Sequence, residues 1–240
     1  MFINPQERII LTLDTSDYNI ALEVVKTFRE HINIFRVGLD LFISSGLNIV
    51  EAINKLDKKI FLDIKLNDIP NTITNAIINA AKAGTYMISV HSTIGAENIK
   101  NSLGKVSEFC LKENLKKPII LGVTVLSSLS QKNLNEELGV NHSFSSYVKF
   151  LAINSQKAGF DGIMIPAFEI AKVRKVCRED FLLAALIRPS WVPPDFYKTT
   201  IKPQEAVRAG ADLLILGRKF LQHNDLASMI ELLKLEILAS

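Results

Sequence analysis

An eightfold alternation of short apolar runs with longer amphipathic stretches predicts a closed (β/α)8 barrel. Eight such strand–helix units fill the 240 residues, close to the roughly 250 that this α/β architecture uses. Most of the runs are continuously apolar rather than alternating, as in strands buried on both faces of a parallel sheet. No linker, low-complexity tract or composition shift interrupts them, so one domain over residues 1–240 is expected. An open doubly wound sheet shares the alternation. Eight units favour closure, and the first turn lacks the GxGxxG of a dinucleotide site.

The candidate strands are Ile9–Leu13, Ile34–Val37, Ile60–Ile64, Met87–Val90, Ile119–Val125, Gly162–Ile165, Leu182–Ile187 and Leu213–Leu216. After the first, Ile20, Leu22, Val24, Val25 and Phe28 form an apolar helix stripe. Ile49, Val50, Ile53 and Leu56 follow the second run, and Ile73, Ala76, Ile77 and Ala80 the third. Pro70 falls near the start of that third helix, where a missing N–H costs nothing. Leu226, Met229, Ile230, Leu233 and Ile237 follow the last run.

Composition bounds the function. Apolar residues make up 48% and charged residues 22%, which excludes a disordered chain, a collagen and a coiled coil. Lys plus Arg total 28 against 25 Asp plus Glu. So small an excess, spread along the chain, argues against nucleic acid, which leaves a clustered basic face; it suits a local pocket for an anionic ligand. Cys110 and Cys177 form no CxxC, as expected in a reducing cytoplasm. The first residues, MFINPQERIILTLD, do not read as a secretory signal. No stretch approaches the roughly 20 apolar residues of a membrane span. A cytoplasmic chain, neither membrane-bound nor processed, is expected.

In a (β/α)8 barrel the chemistry sits at the C-terminal ends of the strands. Those ends carry Asp14, Arg36, Asp63, Lys65, His91, Thr124, Ser127, Ser128, Arg188, Gly217 and Arg218. Residues 61–72, FLDIKLNDIPNT, are the densest. Asp63 and Lys65 lie two apart on a strand and so face one side. A structural ion pair plugging the barrel mouth would need the same residues. Asp68 follows three residues later, and an acid–base–acid order favours a charged ammonium, suited to donating a proton rather than attacking as a nucleophile. Gly217 and Arg218 fit a phosphate site, because barrels often bind phosphate after strands seven and eight. Arg218 as a plain surface residue remains open. So does Asp14 as a helix N-cap rather than a ligand contact. Thr124, Ser127 and Ser128 suit caps as well as a site. His91 reads better as a satisfied strand-end histidine than as a base. His31, His142 and His223 read as surface residues, and no His or Cys spacing suggests a metal.

LTLD (11–14), FRVGLDLF (35–42), FLDIKLNDIPNT (61–72), SVHSTIG (89–95), GVTVLSS (122–128) and RAGADLLILGR (208–218) together resemble the orotidine 5′-phosphate decarboxylase family in order and spacing. The resemblance runs from about Ile9 to the last helix. It implies a (β/α)8 homodimer that uses no cofactor or metal and converts orotidine 5′-monophosphate to UMP and carbon dioxide. By matching position it implies that Asp14 touches the ribose and Asp63 the substrate carboxylate. Lys65 would protonate C6. Asp68 and Thr72 would reach into the partner's site. Ser128 would bond the pyrimidine edge, and Arg218 with the Gly217 N–H would bind phosphate, beside Arg188 at the end of the seventh run. Arg36 stands where the family usually has Lys, and the 188–202 loop has no Gln where a DQ pair is usual. Related sugar-phosphate decarboxylases and synthases share the D-x-K-x-x-D block but use magnesium, and Arg36 would repel that metal. A catalytically impaired nucleotide-binding homologue is the other alternative.

Overall fold

The computed structural model describes residues 5–189, 191–192, 200–217 and 226–238. Eight parallel strands close into a barrel in sequence order. They are β1 (Ile9–Leu13), β2 (Ile34–Gly38), β3 (Lys59–Leu66), β4 (Met87–His91), β5 (Ile119–Val123), β6 (Gly162–Met164), β7 (Leu182–Ile187) and β8 (Leu213–Leu216). The helices are α1 (Pro5–Arg8), α2 (Tyr18–Phe28), α3 (Leu39–Ser45), α4 (Asn48–Asn54), α5 (Pro70–Lys82), α6 (Ala96–Lys112), α7 (Phe144–Ala158), α8 (Ile170–Arg174), α9 (Pro203–Arg208) and α10 (Leu226–Leu238).

Strand alternation builds two separate cores. Ile9, Leu11, Phe35, Ile60, Leu62, Ile88 and Val90 point outward and pack beneath the helices. Ile10, Ile34, Phe61, Met87, Leu121, Ala184, Leu213 and Ile215 point inward and fill the barrel. Both sets are buried on folding, which explains why the sequence shows runs rather than alternation. Two residues further along four inward rows, apolar side chains give way to polar ones: Thr12 after Ile10, Arg36 after Ile34, Asp63 after Phe61 and Ser89 after Met87. The apolar plug is thus the floor of a polar mouth at the C-terminal end.

Five of the eight strands differ from the sequence expectation, by one or two residues at an end, and β3 gains most, reaching Leu66. On α2 the buried face is Ala21, Val25 and Phe28, while Ile20 is 55% exposed; a 3.6-residue period turns it about 100° from Ala21. Asp17, not Asp14, caps α2, its carboxylate accepting from the Asn19 and Ile20 N–H groups. Helix α3 is a further element with only Leu41 buried, too short a stripe for periodicity to reveal. Pro70 does open α5, whose Ile73, Ile77 and Ala80 are buried. No helix among the described residues is long and apolar enough to cross a membrane.

Candidate active site

The mouth encloses a cavity of about 360 Å³ lined by Thr12, Asp14, Arg36, Asp63, Lys65, Ser127, Ser128 and Gly217, over an apolar floor that includes Val123, Met164 and Ile215. At its base Asp63 is fully buried. A buried carboxylate is costly unless paired, and three side chains from three strands pair it. Arg36 Nε donates to Asp63 Oδ2 at 2.6 Å, and Lys65 Nζ donates to the same oxygen at 2.8 Å. Ser89 Oγ donates to Oδ1 at 2.7 Å. Arg36 Nη1 also reaches Thr12 Oγ1 at 3.5 Å, across the register pair Thr12 and Arg36. Burial pushes the Asp63 carboxyl up; Arg36, Lys65 and the bonds from Lys65 and Ser89 together outweigh it and hold it below the usual carboxylate range.

Lys65 meets Asp63 through a break in regular strand alternation. The β3–β4 ladder pairs Leu62 with Ile88 and then Leu66 with Val90, so β3 bulges between them. Lys65 sits in the bulge with φ 49°, a conformation that costs a non-glycine residue about 1–3 kcal/mol. Bulges re-aim side chains near active sites, and this one turns Lys65 back over Asp63.

Asp14, Arg36, Asp63, Lys65, Ser128 and Gly217 therefore converge on the cavity as the strand-end argument expects. Asp68 and Thr72 do not line it. Both are exposed, and Asp68 Oδ1 accepts from the Ile69 N–H at 2.6 Å instead of meeting Lys65. The acid–base–acid order along the chain is thus not a cluster in space. Arg188 is half-buried beyond the cavity lining, its N–H donating to the Ile201 carbonyl. Arg218, His223 and residues 193–199 of the divergent loop lie outside the described residues. Thr124 is structural, its hydroxyl donating to the Met164 carbonyl at 2.9 Å. His91 is half-buried with Nδ1 2.7 Å from Thr93 Oγ1; burial, then Lys65, lowers its pKa. Thr12 and Ser89 escaped notice in the sequence, although counting back by twos from Asp14 and His91 reaches both. No group of three His, Cys, Asp or Glu able to hold a metal occurs among the described residues.

Residues 7–232 match the family model described as orotidine 5′-phosphate decarboxylase / HUMPS family. An orotidine 5′-phosphate decarboxylase of Nostoc sp. is 35% identical over 213 residues, 88% of this chain and 89% of the relative. The enzyme of that name from Syntrophomonas wolfei is 36% identical over 219 residues, covering 90% and 92%. Among solved structures, orotidine 5′-phosphate decarboxylase from Lactobacillus acidophilus superposes with a TM-score of 0.80 at 26% identity, covering 95% of this chain and 98% of that one.

Proposed function

The chain belongs to the orotidine 5′-phosphate decarboxylase / HUMPS family, and from that premise we propose that its barrel mouth decarboxylates orotidine 5′-monophosphate to UMP, the carboxy-lyase step of pyrimidine nucleotide synthesis. The observation that carries this is the buried Asp63 carboxylate with the Lys65 ammonium 2.8 Å away, both in the lining of the cavity. The substrate carboxylate enters beside Asp63. As its bond to C6 breaks, carbon dioxide leaves and the electron pair stays on C6. The Lys65 ammonium stabilises that charge and transfers a proton to C6, leaving a neutral amine that solvent reprotonates. Electrostatics aimed at a developing charge is the main contribution such a site makes.

The remaining roles follow position. Arg36 orients Asp63 and supplies positive charge, with no part in acid–base exchange because a guanidinium does not deprotonate in proteins. Asp14 faces the ribose, Ser128 the pyrimidine edge, and Gly217 with Arg218 and Arg188 the phosphate. Asp68 and Thr72 belong to the neighbouring site of a homodimer. Exposed Leu39, Ile43 and Ile69, from 57% to 76% accessible, follow the C-terminal ends of β2 and β3 and suit burial against a second copy. The unit is one barrel domain over residues 1–240, cytoplasmic, using neither metal nor cofactor and binding no nucleic acid.

The sugar-phosphate alternative needs a magnesium ion held by carboxylates near Asp63, and Arg36 places a positive charge 2.6 Å from that carboxylate. Loss of orotidine monophosphate absorbance by the purified protein, with chelator present, is the test. Steady decay untouched by chelator is expected. No decay, or decay abolished by chelator and restored by magnesium, would transfer the chain to the alternative.

A further inference from the structure

We infer that Ser89 is a positioning residue for decarboxylation, holding Asp63 and Lys65 in one working geometry while lying outside the substrate cavity. The inference rests on the decarboxylase reading above and goes beyond it to a residue on a third strand.

In the β3–β4 ladder, Leu62 pairs with Ile88 and Leu66 with Val90. Asp63, Ile64 and Lys65 therefore face Ser89 alone. A bulge of this kind leaves backbone groups without ladder partners, and a buried unpaired N–H is expensive. Here the Lys65 N–H donates to Ser89 Oγ at 2.8 Å. The same hydroxyl donates to Asp63 Oδ1 at 2.7 Å. A hydroxyl has one proton to give and lone pairs to receive, so both bonds form at once.

The two oxygens of Asp63 are served separately. Oδ2 takes Arg36 and Lys65, whereas Oδ1 takes Ser89. The terminal carboxylate torsion is intrinsically broad, and Ser89 supplies the bond that fixes it. Through its second bond Ser89 also holds the Lys65 backbone at the positive φ from which its side chain turns back to Asp63. Ser89 is fully buried, so no bulk water replaces a missing hydroxyl. An aliphatic residue at this position would pack but satisfy neither partner.

The test compares wild type with Ser89→Ala, Ser89→Thr and Ser89→Cys. Removing the hydroxyl is expected to lower kcat by about ten- to a hundredfold, the scale of a small misplacement at a preorganised site, with UMP affinity unchanged. Thr restores most of the rate; Cys, a weak donor, falls between and serves if the Ala protein does not fold. The charged groups around this pair are Arg36 on β2, Lys65 on β3, His91 on β4 and Asp14 beyond β1, and all are retained. The acid limb of the kcat/KM profile therefore moves upward in Ser89→Ala and returns in Ser89→Thr. The Asp63 carboxyl carbon, followed by NMR without substrate, shifts its titration in the same sense. A folded Ala or Cys protein with wild-type kcat and an unmoved Asp63 titration would overturn the inference, as would a Thr protein no better than Ala. If wild type itself leaves orotidine monophosphate intact, the decarboxylase reading fails, and the substrate-free titration still decides the role of Ser89.

Discussion

Asp63 is buried with three partners, and its neighbours differ in what they contribute. Lys65 is the proton donor of the proposed reaction, so Lys65→Ala is expected to cost several orders of magnitude in kcat while UMP still binds. Stopped assays with an isothermal titration of UMP would check both halves, and near-normal turnover would remove Lys65 from the chemistry. Arg36 donates through Nε to Asp63 and reaches Thr12. Arg36→Ala strips a buried carboxylate of one of its two cations, which should cost less stability than the ~3–5 kcal/mol of a wholly unpaired buried charge because Lys65 remains, and kcat/KM should fall sharply with it. Arg36→Lys keeps the charge and offers a more adaptable point donor, so kcat/KM is expected to hold or rise. Steady-state rates of the three proteins at matched pH and salt, beside urea melts, separate the two effects. Abolished turnover in Arg36→Lys would give Arg36 a role other than charge and orientation.

Single elements decide where those residues stand. On β3 the bulge, rather than regular alternation, brings Lys65 over Asp63. On β6 the requirement is for close strand approach. A Cβ added at Gly162 would lie 2.4 Å from the Leu182 carbonyl oxygen and 2.5 Å from Leu182 Cβ. Both are on or next to the backbone of β7, which cannot yield without spreading the barrel. Gly162→Ala is therefore expected to destabilise the protein by about 1–3 kcal/mol, the usual cost of overpacking, read as a lower urea midpoint at unchanged slope. A neutral result would mean that β6 and β7 separate easily. Gly46, with φ 59° and nothing within reach of an added Cβ, is a contrasting site where only backbone conformation resists substitution.

For the whole molecule, two properties follow from charge and assembly. Asp63 has a lowered folded-state pKa, so its stabilising contribution is present above the unfolded value of about 3.9 and is lost as pH falls through the folded one. His91 is also lowered, by burial and then Lys65. Its contribution is present above about 6.5 and is lost on acidification through its folded value. Thermal midpoints measured from pH 8 to pH 3 should therefore fall in two stages, and His91→Gln should remove the first. A midpoint that rose between pH 7 and pH 5 would contradict the sign for His91. Asp68 and Thr72 stand exposed outside their own subunit's cavity. If they complete a partner's site, mixing inactive Lys65→Ala with inactive Asp68→Ala subunits should restore part of the activity through hybrid dimers. No recovery between subunits shown to exchange would place Asp68 elsewhere.

The barrel was legible because burial on both faces writes itself locally, as apolar runs such as Ile9–Leu13 and Leu213–Leu216 whose limits the structure reproduces. The polar mouth was legible for a related reason: charged residues at strand ends, Asp63 and Lys65 above all, have no place in a core unless they pair. What sequence could not supply was everything set by register between strands. The phase of α2 and the short helix α3 depend on which face meets the barrel. Ser89 carries no charge and sits in an ordinary run, MISVH, so its place two residues before His91 is the one local mark it has. Its importance arises only when β4 is laid against a bulged β3 and one hydroxyl falls between a stranded N–H and a buried carboxylate oxygen. The fold, and the meeting of Asp14, Arg36, Asp63 and Lys65 at the barrel mouth, were legible in the sequence because both follow from the short-range cost of exposing apolar groups and burying charges, whereas Asp68 and Arg188 stand outside the cavity lining. How Asp63 and Lys65 are aimed was set by the folded chain, because their own bond spans only two positions while the bonds that orient them, from Ser89 and Arg36, join residues 24 to 27 positions apart.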